Sequence, residues 1–391
     1  MLSLKEKKQK VKSAKGITLV VLVITIIILL ILATISIQKL TNTGLFAKAK
    51  ETRDKTANAE ENQARTLNEY EDELNKYISG DIKTTVKKVA NNIGSVLSTT
   101  DNTELEDEYG NKIVIPAGFK IVSDDTTNNA QTVDKGIVIE DVTETATKGS
   151  QFVWIPIGKI KKEDGSVTTI SLNRYTFDEN GNPIMQEENT ISEGDTGFKE
   201  LSSSNKGNIV SKNISNFKTS AIKNNGYYIG RYEARTNTAR NSENNQLTQI
   251  TEKVTEYIYN YVTQPQAAQL SQNMYNSSKY VSDLTNSYAY DTTILFLQNC
   301  GTNNKYSRKN SSNSGTLAQK GTTEDVQCNV YDMASNVGEL TTETTEDENS
   351  PCGSRGGNYI YDGSYASCRG YHTTSYSYEL DGFRPILYIN I

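Results

Sequence analysis

The segment Tyr331-Asp332-Met333-Ala334-Ser335-Asn336-Val337-Gly338-Glu339-Leu340 opens the part of the chain that decides the fold. Arg355-Gly356-Gly357-Asn358-Tyr359 and Asp381-Gly382-Phe383-Arg384-Pro385 follow it. Between Gly357 and Gly382 lie 24 residues with six Tyr, four Ser, the only His of the chain (His372) and no Lys, Gln, Met or Trp. Tyr and Ser combine rigid contact area with adaptable hydrogen bonding, which is typical of recognition surfaces. Tyr-rich strands are also ordinary sheet material, so a purely structural role stays open.

The bracketing motifs resemble the formylglycine-generating (sulfatase-modifying) enzyme family, which has a C-type-lectin-like fold. That family reads D-M-x-G-N-V-W-E-W, then R-G-G-S-W/Y, then G-F-R near its end. Residues 152–156 (Phe-Val-Trp-Ile-Pro) resemble its opening strand, and residues 226–233 (Gly-Tyr-Tyr-Ile-Gly-Arg-Tyr-Glu) resemble its F-Y-I-G-K-Y-E-V strand. The resemblance covers roughly residues 110–391, although Gly338 and Leu340 replace the two family tryptophans.

The oxidase members of that family use two cysteines shortly after the R-G-G motif, together with copper. Tyr361 and Ala366 stand in those two places, and Cys368 is nearby but displaced and alone. A phenol and a methyl group cannot replace a thiolate nucleophile or copper ligand. The resemblance therefore implies that the fold is kept and the oxidase chemistry is lost, so we predict that the protein is not an enzyme. An oxidase of this type, or a related enzyme with a changed active site, is the alternative from another class.

Charge and cysteine content narrow the classes of partner. The formal net charge is −6, and the first 16 residues contribute six Lys and one Glu, or +5, so a chain starting at Ile17 would carry −11. This acidic balance argues against nucleic acid as a partner.

Four cysteines permit two disulfides with three possible pairings, and free buried thiols are the alternative. No C-x-x-C spacing is present, which argues against a zinc site. The cysteines are Cys300, Cys328, Cys352 and Cys368.

The N-terminal region predicts a membrane segment. Residues 17–37 are 21 uncharged positions dominated by Ile, Leu and Val. As a helix at ~1.5 Å per residue they would span about 30 Å, which is enough for a bilayer core. The preceding lysines favour a cytoplasmic N-terminus, so we expect a single-pass membrane protein with the rest of the chain extracellular.

The junction Lys15-Gly16-Ile17-Thr18-Leu19 resembles the type IV prepilin signal K-G-F-T-L-x-E. The resemblance implies that a prepilin peptidase cleaves between Gly16 and Ile17 and that the new N-terminus is methylated. Val21 stands where that family has a Glu that helps subunits join a filament. Assembly with other pilins, a position at the pilus tip and a simple membrane anchor therefore all stay open.

Together these patterns predict an α+β fold, with a long N-terminal transmembrane and stalk helix followed by the C-type-lectin-like domain. We predict a leader (1–16), the transmembrane and stalk helix (17–79), a linker (80–109) and the C-terminal domain (110–391). Within that domain we expect strands near 112–116, 136–140 and 152–157 and surface loops over 158–220. A capping box at Thr263 and Gln266 predicts a helix to about Tyr275, and a second helix is expected from about Tyr288 to Gln298.

Two further kinds of site, a calcium site and a catalytic triad, have partial signals in the sequence. In the enzyme family, the positions of Asp332 and Glu339 hold a structural Ca²⁺, so the resemblance implies calcium there, with a metal-free turn as the alternative. Ser and His372 occur together in the block, but nothing supplies the nucleophile elbow that a catalytic Ser-His-Asp unit needs. We therefore expect His372 to be an ordinary surface residue.

Three interpretations of the Tyr/Ser block itself stay open: a structural strand and loop, a fixed ligand-binding face, and a hypervariable face. Diversity-generating retroelements randomise adenines in AAC codons, and of residues 358–381 only Glu379 falls outside the set that such codons yield. We predict a surface-displayed adhesin or receptor that presents this face to an extracellular protein or glycan, with a structural minor pilin as an alternative. The contact candidates are Asn358, Tyr359, Tyr361, Asp362, Tyr365, Tyr371, His372, Tyr376 and Tyr378.

Overall fold

The computed structural model describes residues 28–29, 86–187, 189–193, 196–204, 206–311 and 314–391. The chain divides into two compact units, Met1–Thr84 and Thr85–Ile391, and only Ile28 and Leu29 of the first unit are described. These two residues are helical. The prepilin junction and the rest of the predicted helix over 17–79 lie outside the described residues. Among those that are described, no helix combines the length and the hydrophobicity that crossing a bilayer requires.

The second unit is built mainly of short strands. They are β1 Thr103–Glu106, β2 Lys112–Ile115, β3 Phe119–Val122, β4 Val138–Asp141, β5 Gln151–Pro156, β6 Gly158–Lys161, β7 Val167–Ile170, β8 Tyr175–Phe177, β9 Pro183–Met185, β10 Thr190–Glu193 and β11 Thr196–Glu200. The chain continues with β12 Gly226–Gly230, β13 Arg235–Thr236, β14 Tyr257–Ile258, β15 Tyr280–Leu284, β16 Val326–Gln327, β17 Val330–Tyr331, β18 Gly338–Thr345, β19 Cys352–Arg355, β20 Arg369–His372, β21 Asp381–Phe383 and β22 Pro385–Ile389.

Three α-helices accompany the strands within the described part of this unit: α1 Ile214–Lys223, α2 Gln264–Met274 and α3 Ser287–Cys300. The longest has 14 residues. The predicted fold class, α+β with a long N-terminal helix, is therefore wrong for the described structure, which is mostly β-sheet with three short helices. The physical reason is the period of the apolar residues: Ile113 and Ile115, like Phe119 and Ile121, are buried at every second position, as strands require.

Two six-stranded sheets form the frame. The first has the order β15-β22-β12-β5-β4-β3 and is antiparallel throughout. The second has the order β10-β11-β18-β19-β20, with β21 added in parallel to β18. Helix α3 packs against the first sheet, where the Tyr227 hydroxyl donates to the Ala289 carbonyl at 2.6 Å. Trp154 and Tyr228 pack edge to face nearby, with ring centroids 4.9 Å apart.

Arg384 connects the two sheets, since it lies between β21 of one and β22 of the other. Its guanidinium donates to Glu339 Oε1 of β18 (2.8 Å), to the Gly230 carbonyl of β12 (2.9 Å) and to the Tyr331 carbonyl (2.8 Å). The side chain is fully buried. The Gly-Phe-Arg segment near the C-terminus therefore holds the two sheets together.

Several local predictions are confirmed. Strands β2, β4 and β5 occupy the three predicted places within one or two residues. Helix α2 begins after Thr263 with the expected capping box: the Thr263 hydroxyl accepts from Gln266 N, and the Gln266 side chain accepts from Thr263 N. Helix α3 covers the second predicted helix and ends before Gly301.

Other predictions fail where polar sequence forms regular structure. The predicted loops over 158–220 contain the β6–β7, β8–β9 and β10–β11 hairpins and helix α1. These strands carry few apolar residues because much of their surface is exposed, so the hydrophobic alternation that marks a strand is weak. Residues 86–109, inside the predicted linker, bury Val89 and Leu105 in the core and pair β1 with β2.

Candidate functional site

The Tyr/Ser block begins at a turn that only glycine fits. Gly356 has φ +76°, and a Cβ placed there would lie 2.5 Å from the Met333 carbonyl oxygen. Three residues later the Tyr359 amide donates to the Asn336 carbonyl at 2.9 Å. The motif before β18 and the Arg-Gly-Gly motif are therefore in direct contact. This contact sends the following residues outward, where Ile360 and Tyr361 are exposed.

Aromatic side chains from distant parts of the chain meet beyond that turn. The rings of His372 and Tyr376 stack with centroids 4.0 Å apart and an interplanar angle of 8°. Tyr378 lies 6.4 Å from Tyr376 and 6.5 Å from Tyr261. Tyr361 lies near enough to help raise the pKa of Tyr376, after burial and Asp381. We call Tyr261, Tyr361, His372, Tyr376 and Tyr378 the tyrosine face.

Solvent reaches the tyrosine face. Tyr361 is 58% exposed and Tyr378 is 48% exposed, whereas His372 and Tyr376 are half-buried beneath them. Exposed rings of this kind combine apolar area with hydroxyl donors and acceptors, and they are the side chains that binding hot spots favour. The arrangement can therefore hold a ligand by stacking and hydrogen bonding.

Two carboxylates, those of Asp381 and Glu379, contact rings of the tyrosine face. Tyr376 donates to Asp381 Oδ2 at 3.1 Å, and His372 Nε2 lies 3.2 Å from Asp381 Oδ1. Tyr261 donates to Glu379 Oε2 at 3.3 Å. Burial and then the Asp381 carboxylate raise the pKa of Tyr376 well above its usual value, so this phenol stays a donor at physiological pH. Side chains held in this way lose little entropy on binding.

The histidine does not form a catalytic triad. Ser354 Oγ and Asp381 Oδ1 each lie 3.2 Å from the same atom, His372 Nε2. A Ser-His-Asp triad needs the nucleophile at one ring nitrogen and the carboxylate at the other. His372 was expected to be an ordinary surface residue, but it is a half-buried member of the tyrosine face.

The other contact candidates lie in different surroundings. Tyr359 is 7% exposed, and burial followed by Glu379 raises its pKa to about 12. The Asn358 side chain accepts from two backbone amides and so shapes a turn, and Asp362 is exposed.

Tyr365 and Tyr371 are the remaining candidates. The guanidinium of Arg308 lies 3.8 Å from the centre of the Tyr365 ring. Tyr371 is 45% exposed and lies 6.3 Å from Phe198. It precedes His372 on β20, so the two side chains point to opposite sides of the strand.

A buried cluster of five charges lies beneath this region. Glu343 of β18 pairs with Arg174 at 2.5 Å, with Arg369 at 3.2 Å and with Arg355 at 3.4 Å. Asp291 of α3 pairs with Arg355 at 2.5 Å and with Arg369 at 2.6 Å. All five side chains are at most 1% exposed. The cluster ties β18, β19, β20 and α3 together and so holds both strands that border the Tyr/Ser block.

Hydrogen bonds occupy one oxygen of each carboxylate in the pair implied for calcium. One Glu339 oxygen accepts twice from Arg384, and one Asp332 oxygen accepts from the Thr323 amide and hydroxyl. Only one oxygen on each carboxylate has no hydrogen-bond partner, whereas Ca²⁺ takes six to eight ligands. In the part of the chain that the structure describes, no group of three His, Cys, Asp or Glu side chains could hold a metal. Structural Ca²⁺ at Asp332 and Glu339 stays a prediction.

Sequence reasoning missed Tyr261, Asp381 and Glu379 as parts of the site. Tyr261 reaches the block because its amide donates to the Tyr378 carbonyl at 3.1 Å, and Arg240 holds its loop by donating to the Tyr261 carbonyl at 2.8 Å. No local pattern marks a residue so far from the block. Glu379 had a signal, since it is the only glutamate among residues 358–381.

The chain matches no protein-family model, no curated protein and no solved structure. The resemblances to the prepilin signal and to the formylglycine-generating enzyme family therefore stay predictions.

Proposed function

We propose that the protein is a membrane-anchored, surface-displayed binding protein that uses the tyrosine face to hold an extracellular protein or glycan. The observation that carries the proposal is the set of ring contacts that joins Tyr261, Tyr378, Tyr376 and His372 in one accessible face. Tyr376 donates a hydrogen bond to Asp381 and Tyr261 donates one to Glu379, and His372 Nε2 lies 3.2 Å from Asp381 Oδ1.

The exposure of the outer rings supports binding over a purely structural role. A face made only for packing would bury its outermost rings, yet Tyr361 and Tyr378 are each about half exposed. The charged neighbours Asp362 and Glu379 are acidic, so the face suits ligands that offer hydroxyl groups, apolar patches or positive charge.

The membrane location rests on the sequence alone. The uncharged segment 17–37 and the six lysines that precede it support a single pass with the second unit outside the cell. Processing between Gly16 and Ile17 by a prepilin peptidase, with pilus-tip placement, is part of the same proposal. Protease added to intact cells should remove the second unit, and Gly16→Val should leave an uncut chain on a denaturing gel.

Binding is tested with the detergent-solubilised full chain on arrays of glycans and extracellular proteins. The double variant Tyr361→Ala/Tyr378→Ala should lose at least about tenfold in affinity for the captured ligand, since aromatic hot spots contribute more than ~1 kcal/mol each. Its melting temperature should stay within about 1 °C of the parent chain, because both rings are largely solvated. Unchanged affinity would refute the proposal.

A matched control removes a tyrosine elsewhere. Tyr109 is half-buried and its charged neighbours are Glu108, Glu163 and Asp134, none of them in the tyrosine face. Tyr109→Ala should leave ligand binding unchanged.

If the C-terminal unit serves only as a structural minor pilin, the triple variant of Tyr361, Tyr365 and Tyr376 to Ala should unfold the unit, and no array ligand should be found.

Hypervariability of residues 358–381 is a further part of the proposal. The exposed positions Tyr361, Asp362 and Tyr378 are where diversity would change the ligand without disturbing the frame. Sequencing the gene and its surroundings tests this directly. Codons derived from AAC, a nearly identical template repeat and a reverse transcriptase gene alongside are expected, and their absence would make the face a fixed one.

A further inference from the structure

Cys300 and Cys328, which are not bonded to each other in this structure, line the same cavity. Cys300 is the last residue of α3, and Cys328 occupies the turn of the β16–β17 hairpin. The two segments are joined by Gln327 Oε1, which accepts from the Thr302 amide at 2.7 Å and from the Asn303 amide at 3.2 Å. The helix end and the hairpin turn are therefore in direct contact.

The cavity that both residues line has a volume of about 290 Å³. The Cys328 thiol donates to the Asp134 carbonyl at 3.6 Å, and Asp134 also lines the cavity. Burial and then Cys300 raise the pKa of Cys328, whereas burial and then Asp134 raise the pKa of Cys300 to about 12. Both residues are partly exposed, so a small reagent can reach them.

The other two cysteines cannot pair with each other in this fold. Cys352 lies opposite His372 at one end of the β19–β20 pair, whereas Cys368 precedes Arg369, which lies opposite Arg355 at the other end. Four residues at ~3.3 Å each place them roughly 13 Å apart, and a disulfide needs Cα atoms within about 7 Å. Their sulfurs also have different neighbours: Cys352 faces Gln264, and Cys368 accepts from the Tyr365 amide.

We propose that Cys300 and Cys328 form a disulfide. A Cys300 or Cys328 thiolate attacks the sulfur of a disulfide oxidant, and one oxidant thiolate leaves. The second cysteine thiolate then attacks the mixed disulfide, the Cys300–Cys328 bond forms and the second oxidant thiol is released. The two cysteine sulfurs are oxidised, one oxidant disulfide is reduced to two thiols, and both cysteine protons end on those thiols.

The bond would tie the end of α3 to the hairpin that leads into the Asp332–Glu339 segment. Asn336 in that segment accepts from the Tyr359 amide, so the bond supports the frame under the tyrosine face. Closing a loop of nearly 30 residues should raise the melting temperature by about 5–8 °C. Since burial raises both thiol pKa values, few thiolates exist at neutral pH, and oxidation should become faster as pH rises from 7 to 9.

The test uses the reduced full chain in detergent, treated with oxidised glutathione at pH 8 and then alkylated in denaturant with N-ethylmaleimide. Digestion with trypsin and a Glu-specific protease cuts after Lys305, Lys320, Glu339 and Arg355, so each cysteine falls on its own peptide. Mass spectrometry should find the Cys300 and Cys328 peptides linked and two hydrogens lighter. A bridge from Cys300 or Cys328 to Cys352 or Cys368 would overturn the proposal.

A second measurement addresses the case in which glutathione reaches the thiols of the folded chain only slowly. The chain is refolded from denaturant in reduced and oxidised glutathione and mapped in the same way. If Cys300 and Cys328 are still both alkylated, the proposal is wrong. Cys300→Ser should abolish the reductant-sensitive part of the melting temperature, whereas the matched control Cys352→Ser should keep it.

Discussion

Replacing Glu343 by glutamine tests whether the buried charge cluster holds the frame of the tyrosine face. Burial alone would raise the pKa of Glu343, but Arg369, Arg355 and Arg174 outweigh it and lower the pKa from 4.5 to about 2. That fall corresponds to roughly 3 kcal/mol of unfolding free energy at neutral pH. Breaking a buried ion pair typically costs ~3–5 kcal/mol, so the two estimates agree.

The pH dependence has a definite sign. The folded-state pKa lies below the unfolded value, so the stabilisation is fully present above pH ~4.5 and is lost as the pH falls toward 2. Glu343→Gln should therefore melt about 6–12 °C below the parent chain at pH 7. At pH 3 the difference in unfolding free energy should be smaller by roughly 2 kcal/mol.

The assay is thermal unfolding of the full chain in detergent, followed by circular dichroism at pH 7 and pH 3. Glu346→Gln is the matched control, because Glu346 lies just beyond β18, is half exposed and pairs only with Lys199 at the surface. Its loss should change the unfolding free energy by less than ~1 kcal/mol. Equal melting of Glu343→Gln and the parent at pH 7, or a difference that does not change with pH, would contradict the reasoning.

Three further variants probe other parts of the structure. Burial raises the pKa of Glu200 from 4.5 to about 7, so the parent chain should lose stability as the pH rises from 4.5 to 7. In Glu200→Gln, denaturant titrations should show a smaller change of unfolding free energy with pH, and an unchanged pH dependence would contradict this explanation. Tyr376→Phe removes the hydroxyl that donates to Asp381 and should cost ~1–2 kcal/mol in urea unfolding, whereas no cost would mean that the hydrogen bond is not formed. Gly356→Ala places a Cβ 2.5 Å from the Met333 carbonyl oxygen at φ +76°, so it should lower the unfolding free energy by more than ~2 kcal/mol, and a neutral result would exclude this turn geometry.

The Tyr/Ser block illustrates how far composition can lead. Its aromatic content predicted a recognition surface, and the structure does bring four of the nine contact candidates into the tyrosine face. It also separates Tyr371 onto the other side of β20 and buries Tyr359. Side-chain direction depends on strand pairing, which composition does not contain.

The sequence by itself determined the features whose interactions span a few residues. The Thr263 capping box is of this kind, because its partners are neighbours in the chain. The places of strands β2, β4 and β5 followed from the short apolar runs within each strand, although their partner strands did not. Only the tertiary structure decided the order of the two sheets, the burial of Glu343 among three arginines, the contact of Tyr261 with the block and the cavity that Cys300 and Cys328 both line. Each of these joins residues far apart along the chain, and their meeting depends on how the sheets pack rather than on any local pattern.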